Sequence, residues 1–265
     1  MGRGPERFSL TAMSNLPSLS TRIERELDYW RTSPSERPGV FDPRNLVHKL
    51  TEGQALLQAL DRHRARFEAT RDILELGAGQ GWGACLVKSL FDCRVVASDV
   101  SPDAVASVSI WQDVFRVRLD EVLACPSYEV PLEDQSIDLI FTFQAAHHFG
   151  AHQRTLTECR RLLRPGGAVL YLHEPTSPRW IYGRAVARVN NKRASYDHDV
   201  VEDVLVPSEL LRIASELGLA GSVAFTPTLA NRRPVEFLYY LALGQLKPLQ
   251  RVLPCTADFV FRRRD

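Results

Sequence analysis

This 265-residue sequence lacks an excess of basic charge, CxxC cysteine pairs and long apolar runs. Its 33 Lys and Arg residues are balanced by 32 Asp and Glu residues, so the formal net charge is only +1. A protein that binds nucleic acid through backbone phosphates needs a basic surface. The composition therefore argues against nucleic acid as a partner.

The five cysteines include no CxxC pair, which argues against a zinc ribbon or a dithiol redox site. Free thiols are typical of a reducing compartment, and we expect a cytoplasmic protein. The longest apolar stretch, residues 237–244, is too short to span a bilayer. No membrane span is therefore predicted, and no N-terminal apolar run resembles a signal peptide.

Short apolar strands alternate with helical segments from residue 72 onward. A chain that alternates in this way builds a parallel sheet with helices on both faces. The fold class predicted is α/β, with a Rossmann-like, doubly wound sheet. The predicted strands lie at residues 73–76, 94–98, 122–125, 137–143, 168–172, 222–225 and 257–261.

Two helical segments precede this alternation. Their apolar residues repeat with a helical period: Ile23, Leu27 and Trp30 in the first, and Leu46, Leu50, Leu57 and Leu60 in the second. We predict a flexible N-terminus at 1–18, a helical extension at 19–70 and one domain at 71–265. The regular alternation of strands and helices is lost at 176–206, which we predict to be an insertion. The extension and the insertion are both candidate lids over a cleft.

The stretch ILELGAGQGWG, residues 73–83, places glycines directly after the first strand. Ligands bind beyond the carboxyl ends of the strands in an open parallel sheet. Gly77, Gly79 and Gly81 lie at that end, where bare backbone admits a ligand. Asp99 ends the second strand 22 residues after Gly77, the spacing at which a carboxylate reaches ribose hydroxyls. These residues predict a cofactor that contains a nucleoside.

Two nucleoside cofactors compete for this site. A dinucleotide fingerprint, GxGxxG, requires glycine at position 82, but the residue is Trp82. Glu75 stands two positions before the first glycine. A pyrophosphate is repelled by such a carboxylate, whereas the ammonium of S-adenosylmethionine is attracted to it. A tight turn without any ligand is the alternative, and the paired Asp99 argues against it.

Four segments in order resemble one family. They are ELGAGQG at 75–81, SDVSP at 98–102, PLEDQSIDLIF at 131–141 and LLRPGG at 162–167. Over about residues 70–175 the sequence resembles the class I S-adenosylmethionine-dependent methyltransferases, most closely the ubiquinone/menaquinone-methyltransferase-like branch. The resemblance implies a seven-stranded sheet with an antiparallel last strand, and S-adenosylmethionine as the cofactor.

The resemblance also implies roles for individual residues. Gly77, Ala78, Gly79 and Gly81 would accept the methionine part of the cofactor, and Glu75 would orient its ammonium. Asp99 would bind both ribose hydroxyls, and Val100 would pack on the adenine. Where the branch has an acidic residue for the adenine amine, this sequence has Pro126, so Ser127 or Tyr128 would replace it. Gln144 would lie near the sulfonium.

The catalytic candidates follow the fourth and fifth strands. His147, His173 and Glu174 are possible bases or acceptor-facing groups, and a buried structural role is the alternative for each. His148 is interpreted as a residue that starts a helix. His148 and His152 are spaced i, i+4, but no carboxylate stands beside them in a metal-binding pattern. No metal is predicted.

The predicted reaction is methylation of a small molecule or sugar on oxygen. One alternative is a protein or RNA methyltransferase. Another is a partner protein that keeps the fold without catalysis, although such proteins often lose the glycines or the ribose acid, which are all present here. The sequence specifies neither the acceptor nor the oligomeric state.

Overall fold

A computed structural model describes residues 16–193, 200, 202–229 and 234–264. Most of the predicted flexible N-terminus, residues 1–15, therefore lies outside the described residues. The helices are α1 (Leu19–Thr32), α2 (Pro43–Glu68), α3 (Trp82–Leu90), α4 (Pro102–Ala106), α5 (Val108–Phe115), α6 (His152–Leu162), α7 (Tyr182–Arg193), α8 (Pro207–Glu216) and α9 (Pro234–Gln245). The strands are β1 (Asp72–Leu76), β2 (Arg94–Asp99), β3 (Glu121–Ala124), β4 (Ile137–Phe143), β5 (Leu163–Thr176), β6 (Leu219–Phe225) and β7 (Cys255–Arg263).

The strands form one seven-stranded sheet in the order β3-β2-β1-β4-β5-β7-β6. Strands β1 to β5 pair in parallel, and β7 runs antiparallel between β5 and β6. The predicted fold class is confirmed, including the antiparallel last strand. The strand order reverses between β1 and β4, and such a switch point opens a crevice at the carboxyl ends of the strands.

Both faces of the sheet are buried. Alternate residues of β1 supply the two faces, because side chains in a strand point to opposite sides. Ile73 belongs to the apolar layer that includes Phe67 of α2, while Leu74 and Leu76 belong to the layer on the other face, which includes Leu156 of α6. Burial on both sides explains why the central strands read as continuous apolar runs.

The apolar stripe of α2 differs from the prediction. Leu50 and Leu57 are 58% and 43% exposed, whereas Leu56 and Leu60 are buried against the sheet. A helical period of apolar residues specifies a stripe but not which neighbouring stripe meets the core. The second half of α2 therefore packs through residues shifted by one position from Leu57.

Two boundaries also differ from the prediction. The interval 176–206, read as irregular, contains the helix α7 and a short 3₁₀ turn at Arg179–Ile181. Strand β5 begins at Leu163, five residues earlier than predicted, since Leu163 pairs with Ile137 ahead of the main register. The five cysteines are free and buried, as expected from their spacing. None of the described helices is both long and apolar enough to cross a membrane.

Candidate functional site

A cleft of about 1300 Å³ opens at the carboxyl ends of the central strands. Its floor is the glycine turn after β1 and the turns after β2 and β4. Helices α1 and α2 and the segment around residues 200–204 form its walls. The aromatic side chains that line it are Tyr29, Trp30, Trp82, Tyr128, Phe143, Phe149, Tyr239 and Tyr240.

The glycine turn approaches its neighbours too closely for side chains. Gly77 has φ of 66°, and a Cβ there would lie 2.9 Å from the Ala145 Cβ. Gly79 has φ of 54°, and a Cβ there would lie 3.1 Å from the Trp30 ring of α1. Left-handed backbone and close packing both require glycine at these positions. Gly81 follows at the N-cap of α3, and Ala78 lines the cleft between them.

Asp99 lies beside this turn at the end of β2. Its Oδ2 accepts the Gly79 N–H at 2.8 Å, and its Oδ1 accepts the Ser101 N–H at 2.9 Å. Burial raises the pKa of Asp99 to about 6, although these two hydrogen bonds oppose the rise. Each carboxylate oxygen retains a further lone pair for a ligand. Val100 follows and lines the cleft.

Glu75 lies under the glycine turn and is only 4% exposed. It accepts the backbone N–H of Ala84 in α3. Its Oε2 has no hydrogen-bond partner among the described residues. Burial raises the pKa of Glu75 to about 8, and the nearby Asp99 charge adds to the rise. A buried polar atom without a partner is costly, so this oxygen is a candidate ligand contact.

Gln80, which the sequence analysis did not single out, links the glycine turn to the N-terminal extension. Its Nε2 donates to the Glu36 carbonyl at 3.0 Å. Its Oε1 accepts from Asn45 Nδ2 at 2.9 Å and Trp111 Nε1 at 3.2 Å. The one signal in the sequence is a polar residue between two glycines, and the structure shows that Gln80 is only 2% exposed. Through Gln80 the extension is fixed to the cleft floor.

Helix α1 lies across the cleft. Arg22 is buried, donates to the His147 carbonyl at 3.0 Å and lies 3.5 Å from the Asp203 carboxylate. Tyr29 donates to Glu36, which also pairs with Lys49 of α2 at 3.2 Å. The extension therefore contacts the turn after β4 and the segment around residue 203.

His147 lies between two carboxylates. Its Nδ1 is 2.8 Å from Glu174 Oε2, and its Nε2 is 2.9 Å from Glu202 Oε2. Burial alone would lower the pKa of His147, but the Glu202 and Glu174 charges outweigh burial and raise that pKa to about 10. With both ring nitrogens in contact with carboxylates, the ring is a protonated imidazolium near neutral pH.

Glu174 is fully buried and does not line the cleft. Its Oε1 accepts the N–H groups of Ala145 and Ala146, each at 2.9 Å, and its Oε2 lies 3.3 Å from the His147 N–H. A register shift in the β5–β7 pairing between Tyr171 and Glu174 aims the side chain toward the turn after β4. Its contacts are those of a group that positions this turn.

His148 extends the same arrangement. Its Nδ1 lies 2.9 Å from Glu26 Oε1, out of line for a hydrogen bond, and its Nε2 lies 3.4 Å from Glu202 Oε1. Asn190 of α7 holds the Glu202 backbone, donating to its carbonyl at 2.7 Å and accepting its N–H at 3.2 Å. We call Glu26, His147, His148, Glu174 and Glu202 the carboxylate–histidine cluster. The sequence analysis missed Glu26 and Glu202, because neither lies in a motif.

The remaining predicted residues surround the cleft. His173 lines it with φ of 57°, stacks on Phe143 at 6.0 Å between ring centroids, and donates its backbone N–H to Asp258. Gln144 lines the cleft with φ of 50°. The Ser127 hydroxyl lies 2.9 Å from that of Thr155.

Comparison with known proteins identifies the domain. Residues 74–171 match a family model described as "Methyltransferase domain". Over 102 residues the chain is 35% identical to a probable S-adenosylmethionine-dependent methyltransferase of Mycolicibacterium smegmatis, a match that covers 38% of this chain and 37% of that relative. Residues 74–171 form a class I S-adenosylmethionine-dependent methyltransferase domain.

Two further proteins resemble this chain over more of its length. The phthiotriol/phenolphthiotriol dimycocerosates methyltransferase of Mycobacterium leprae is 25% identical over 171 residues, which cover 63% of this chain and 57% of that relative. The geranyl diphosphate C-methyltransferase of Streptomyces coelicolor A3(2), solved with S-adenosyl-L-homocysteine, has a TM-score of 0.66 at 13% identity. That alignment covers 93% of this chain and 100% of the neighbour, and it shows the shared fold.

S-adenosylmethionine is the cofactor of this methyltransferase domain, and the cleft fits it. The glycine turn lines the cleft at Gly77 and Gly79, with no side chain between the backbone and the cleft. Glu75 Oε2 offers a buried acceptor without a partner in the described chain, which suits an ammonium. None of the comparisons specifies the ubiquinone/menaquinone branch, which stays a prediction.

Glu75 makes the stability of the cofactor-free protein depend on pH. A carboxyl group whose pKa rises on folding stabilises the fold fully below its unfolded pKa and loses that contribution as pH rises through the folded pKa. Here the pKa rises from 4.5 to about 8. We expect the free energy of unfolding of the wild type to fall relative to Glu75→Gln between about pH 5 and pH 8. Urea unfolding across this range measures the difference.

The control for this experiment is Glu216→Gln, because the Glu216 side chain is 52% exposed. Its pH profile should parallel that of the wild type. Parallel profiles for wild type and Glu75→Gln would contradict the raised pKa.

Proposed function

We propose that the chain transfers the methyl group of S-adenosylmethionine to an oxygen of a small molecule or sugar. The observation that carries the proposal is the cleft of about 1300 Å³, lined by aromatic side chains and crossed by α1. Ligand sites are commonly about 300–1000 Å³, so this cleft accommodates the cofactor together with a small acceptor. The family of the domain supports the methyl transfer itself.

The cofactor contacts are proposed from the geometry of the cleft floor. Gly77, Ala78, Gly79 and Gly81 would lie along the methionine part, with Glu75 Oε2 on its ammonium. The Asp99 oxygens would accept the ribose hydroxyls with the lone pairs left by Gly79 and Ser101. Val100 and Ser127 lie where the adenine would pack, and Gln144 lies near the expected sulfonium position.

The cofactor supplies a methyl group already activated by the positive sulfur. The new C–O bond forms as the S–C bond breaks, and sulfur keeps the electron pair of that bond. The acceptor hydroxyl loses its proton to the carboxylate–histidine cluster. Positioning of the two reactants can lower the activation free energy of such a reaction by on the order of 7–11 kcal/mol.

The candidate catalytic residues take different proposed roles. His147 and His173 line the cleft, whereas Glu174 does not. Because His147 is already protonated, we propose that it holds Glu202 toward the cleft and is not itself the initial base. Glu174 acts through His147 and through the turn after β4, and is a positioning residue. His173 remains a candidate contact for the acceptor.

We propose that α1 and the 176–206 insertion act as lids. Arg22 of α1 contacts both the His147 carbonyl and the Asp203 carboxylate, so the two lids meet over the turn after β4. Excluding water strengthens every electrostatic contact inside a cleft. The two lids would thus contribute to catalysis by excluding water, without touching the reacting atoms.

The charged side chains that line the cleft favour some classes of acceptor over others. Besides Glu75, whose raised pKa favours its neutral form, seven carboxylates line it (Glu26, Glu36, Asp42, Glu52, Asp99, Glu202 and Glu236), against four basic side chains (Arg22, Arg44, Lys49 and Arg188) and the His147 imidazolium. This excess repels RNA phosphates and argues against the RNA alternative. It favours one second candidate, a small amine methylated on nitrogen.

The relatives support a small acceptor. The Mycobacterium leprae relative is named for phthiotriol and phenolphthiotriol dimycocerosates, and the Streptomyces neighbour for geranyl diphosphate. The test is release of S-adenosylhomocysteine from S-adenosylmethionine in the presence of alcohols, phenols, sugars, amines, RNA and peptides. Methylated alcohol, phenol or sugar products support the proposal. Turnover with RNA or peptides alone would overturn it.

A further inference from the structure

We propose that His147, His148 and Glu202 hold a divalent first-row transition-metal ion inside the cleft. One ligand atom from each residue lies within 4.8 Å of those from the other two. His147 and Glu202 are buried, and all three residues line the cleft. The binding site stands on this geometry alone, whereas its role in the reaction rests on the proposed function.

Two of the distances between the candidate ligand atoms are close to those around a metal ion. Metal–nitrogen and metal–oxygen bonds of about 2.1 Å, at angles of about 90–109°, place neighbouring ligand atoms about 3.0–3.4 Å apart. His147 Nε2 lies 2.9 Å from Glu202 Oε2, and His148 Nε2 lies 3.4 Å from Glu202 Oε1. In the metal-free chain, a hydrogen bond joins His147 Nε2 and Glu202 Oε2.

A carboxylate faces the other nitrogen of each ring. Histidines that bind metals usually place their second ring nitrogen against a carboxylate or carbonyl, which fixes the ring and raises its basicity. Glu174 Oε2 lies 2.8 Å from His147 Nδ1 and is hydrogen-bonded to it, whereas Glu26 Oε1 lies 2.9 Å from His148 Nδ1 as a charge contact without hydrogen-bond alignment. Both rings therefore direct Nε2 toward the same carboxylate, Glu202.

The backbone of Glu202 is also held in place by hydrogen bonds. Asn190 of α7 makes two hydrogen bonds to the Glu202 backbone, so the carboxylate is presented from a fixed point. Three carboxylates, from Glu26, Glu174 and Glu202, surround the two imidazoles. This arrangement of charge favours a cation.

The ligand set indicates the kind of ion. Two imidazoles with one carboxylate and open positions suit Fe²⁺, Zn²⁺, Co²⁺ or Mn²⁺. Mg²⁺ and Ca²⁺ prefer sets made of oxygen atoms. If the proposed function holds, an open position would bind the acceptor hydroxyl oxygen. With the ion held by the cluster, the proton of that hydroxyl would pass to water and not to the cluster.

The test is titration of the full-length protein, freed of metal with a chelator, with Co²⁺. Co²⁺ bound by nitrogen and oxygen ligands absorbs visible light, so binding is read without any enzyme assay. We expect one Co²⁺ per chain, displaced by Zn²⁺ and not by excess Mg²⁺. Glu202→Gln and, separately, His148→Ala should each weaken binding at least about 10-fold.

Glu209→Gln is the matched control, because Glu209 is 40% exposed and pairs with Arg179 away from the cluster. Each variant is also titrated with S-adenosylhomocysteine, which tests the fold and the proposed function separately from the metal. Wild type that binds S-adenosylhomocysteine but neither Co²⁺ nor Zn²⁺ would overturn the inference. So would folded Glu202→Gln and His148→Ala variants that bind Co²⁺ as tightly as the wild type.

Discussion

Asp99→Ala is expected to weaken S-adenosylhomocysteine binding by at least about 100-fold. The variant would lose the two proposed hydrogen bonds from ribose to a buried carboxylate. Each such bond contributes about 1.5–3 kcal/mol, and about 1.4 kcal/mol corresponds to a factor of ten. The substitution also removes the partner of the Gly79 N–H, which Asp99 Oδ2 holds at 2.8 Å. The glycine turn would therefore lose its anchor as well as its ribose contact. Calorimetric titration measures the loss.

The matched control is Asp113→Ala. The Asp113 side chain is 70% exposed and pairs only weakly with Arg118, which is equally exposed. Its affinity for S-adenosylhomocysteine should equal that of the wild type. An Asp99→Ala protein that is folded and binds the ligand as tightly as the wild type would remove the ribose assignment.

Glu174→Ala is expected to lower the free energy of unfolding by about 3–5 kcal/mol, because removing one partner of a buried ion pair leaves the other uncompensated. The buried N–H groups of Ala145 and Ala146 also lose their acceptor. The His147 imidazolium keeps Glu202 but loses Glu174. Urea unfolding, followed by circular dichroism, measures the change.

Two comparisons make this result specific. Glu174→Gln keeps an acceptor oxygen and should cost less than Glu174→Ala. Glu216→Ala, at a side chain that is 52% exposed, should leave stability within about 0.5 kcal/mol of the wild type. If Glu174→Ala cost no more than Glu216→Ala, the turn after β4 would not depend on Glu174.

The sheet could be predicted because its signals are local. Apolar runs such as IDLIF at 137–141 report burial on both faces, and the glycines report a turn that needs left-handed backbone. The antiparallel β7 could be predicted only from the family resemblance. The stripe of α2 was misjudged, because periodicity does not say which of two adjacent stripes, that of Leu57 or that of Leu56, meets the core.

The site was only partly predictable for a physical reason. Asp99 and Glu75 lie in motifs whose spacing along two strands fixes where they meet. Glu202 and Glu26 reach His147 and His148 from segments remote in sequence, and only tertiary packing brings them together. No sequence pattern marks such contacts.

The role of His147 shows the same limit. The sequence analysis offered it as a base, which requires an imidazole that is able to accept a proton. Two carboxylates on its two nitrogens raise its pKa to about 10, and only the structure contains that information. We therefore propose His147 as the residue that holds Glu202, and as a ligand where a metal ion binds.

Calorimetric titration of the wild type with S-adenosylhomocysteine, using NAD as the comparison ligand, tests the central claim most directly. The account predicts one site of micromolar affinity for S-adenosylhomocysteine and no measurable binding of NAD, because Trp82 occupies the position where a dinucleotide turn needs glycine. Binding of NAD with equal or greater affinity, or no binding of S-adenosylhomocysteine by the folded protein, would contradict it.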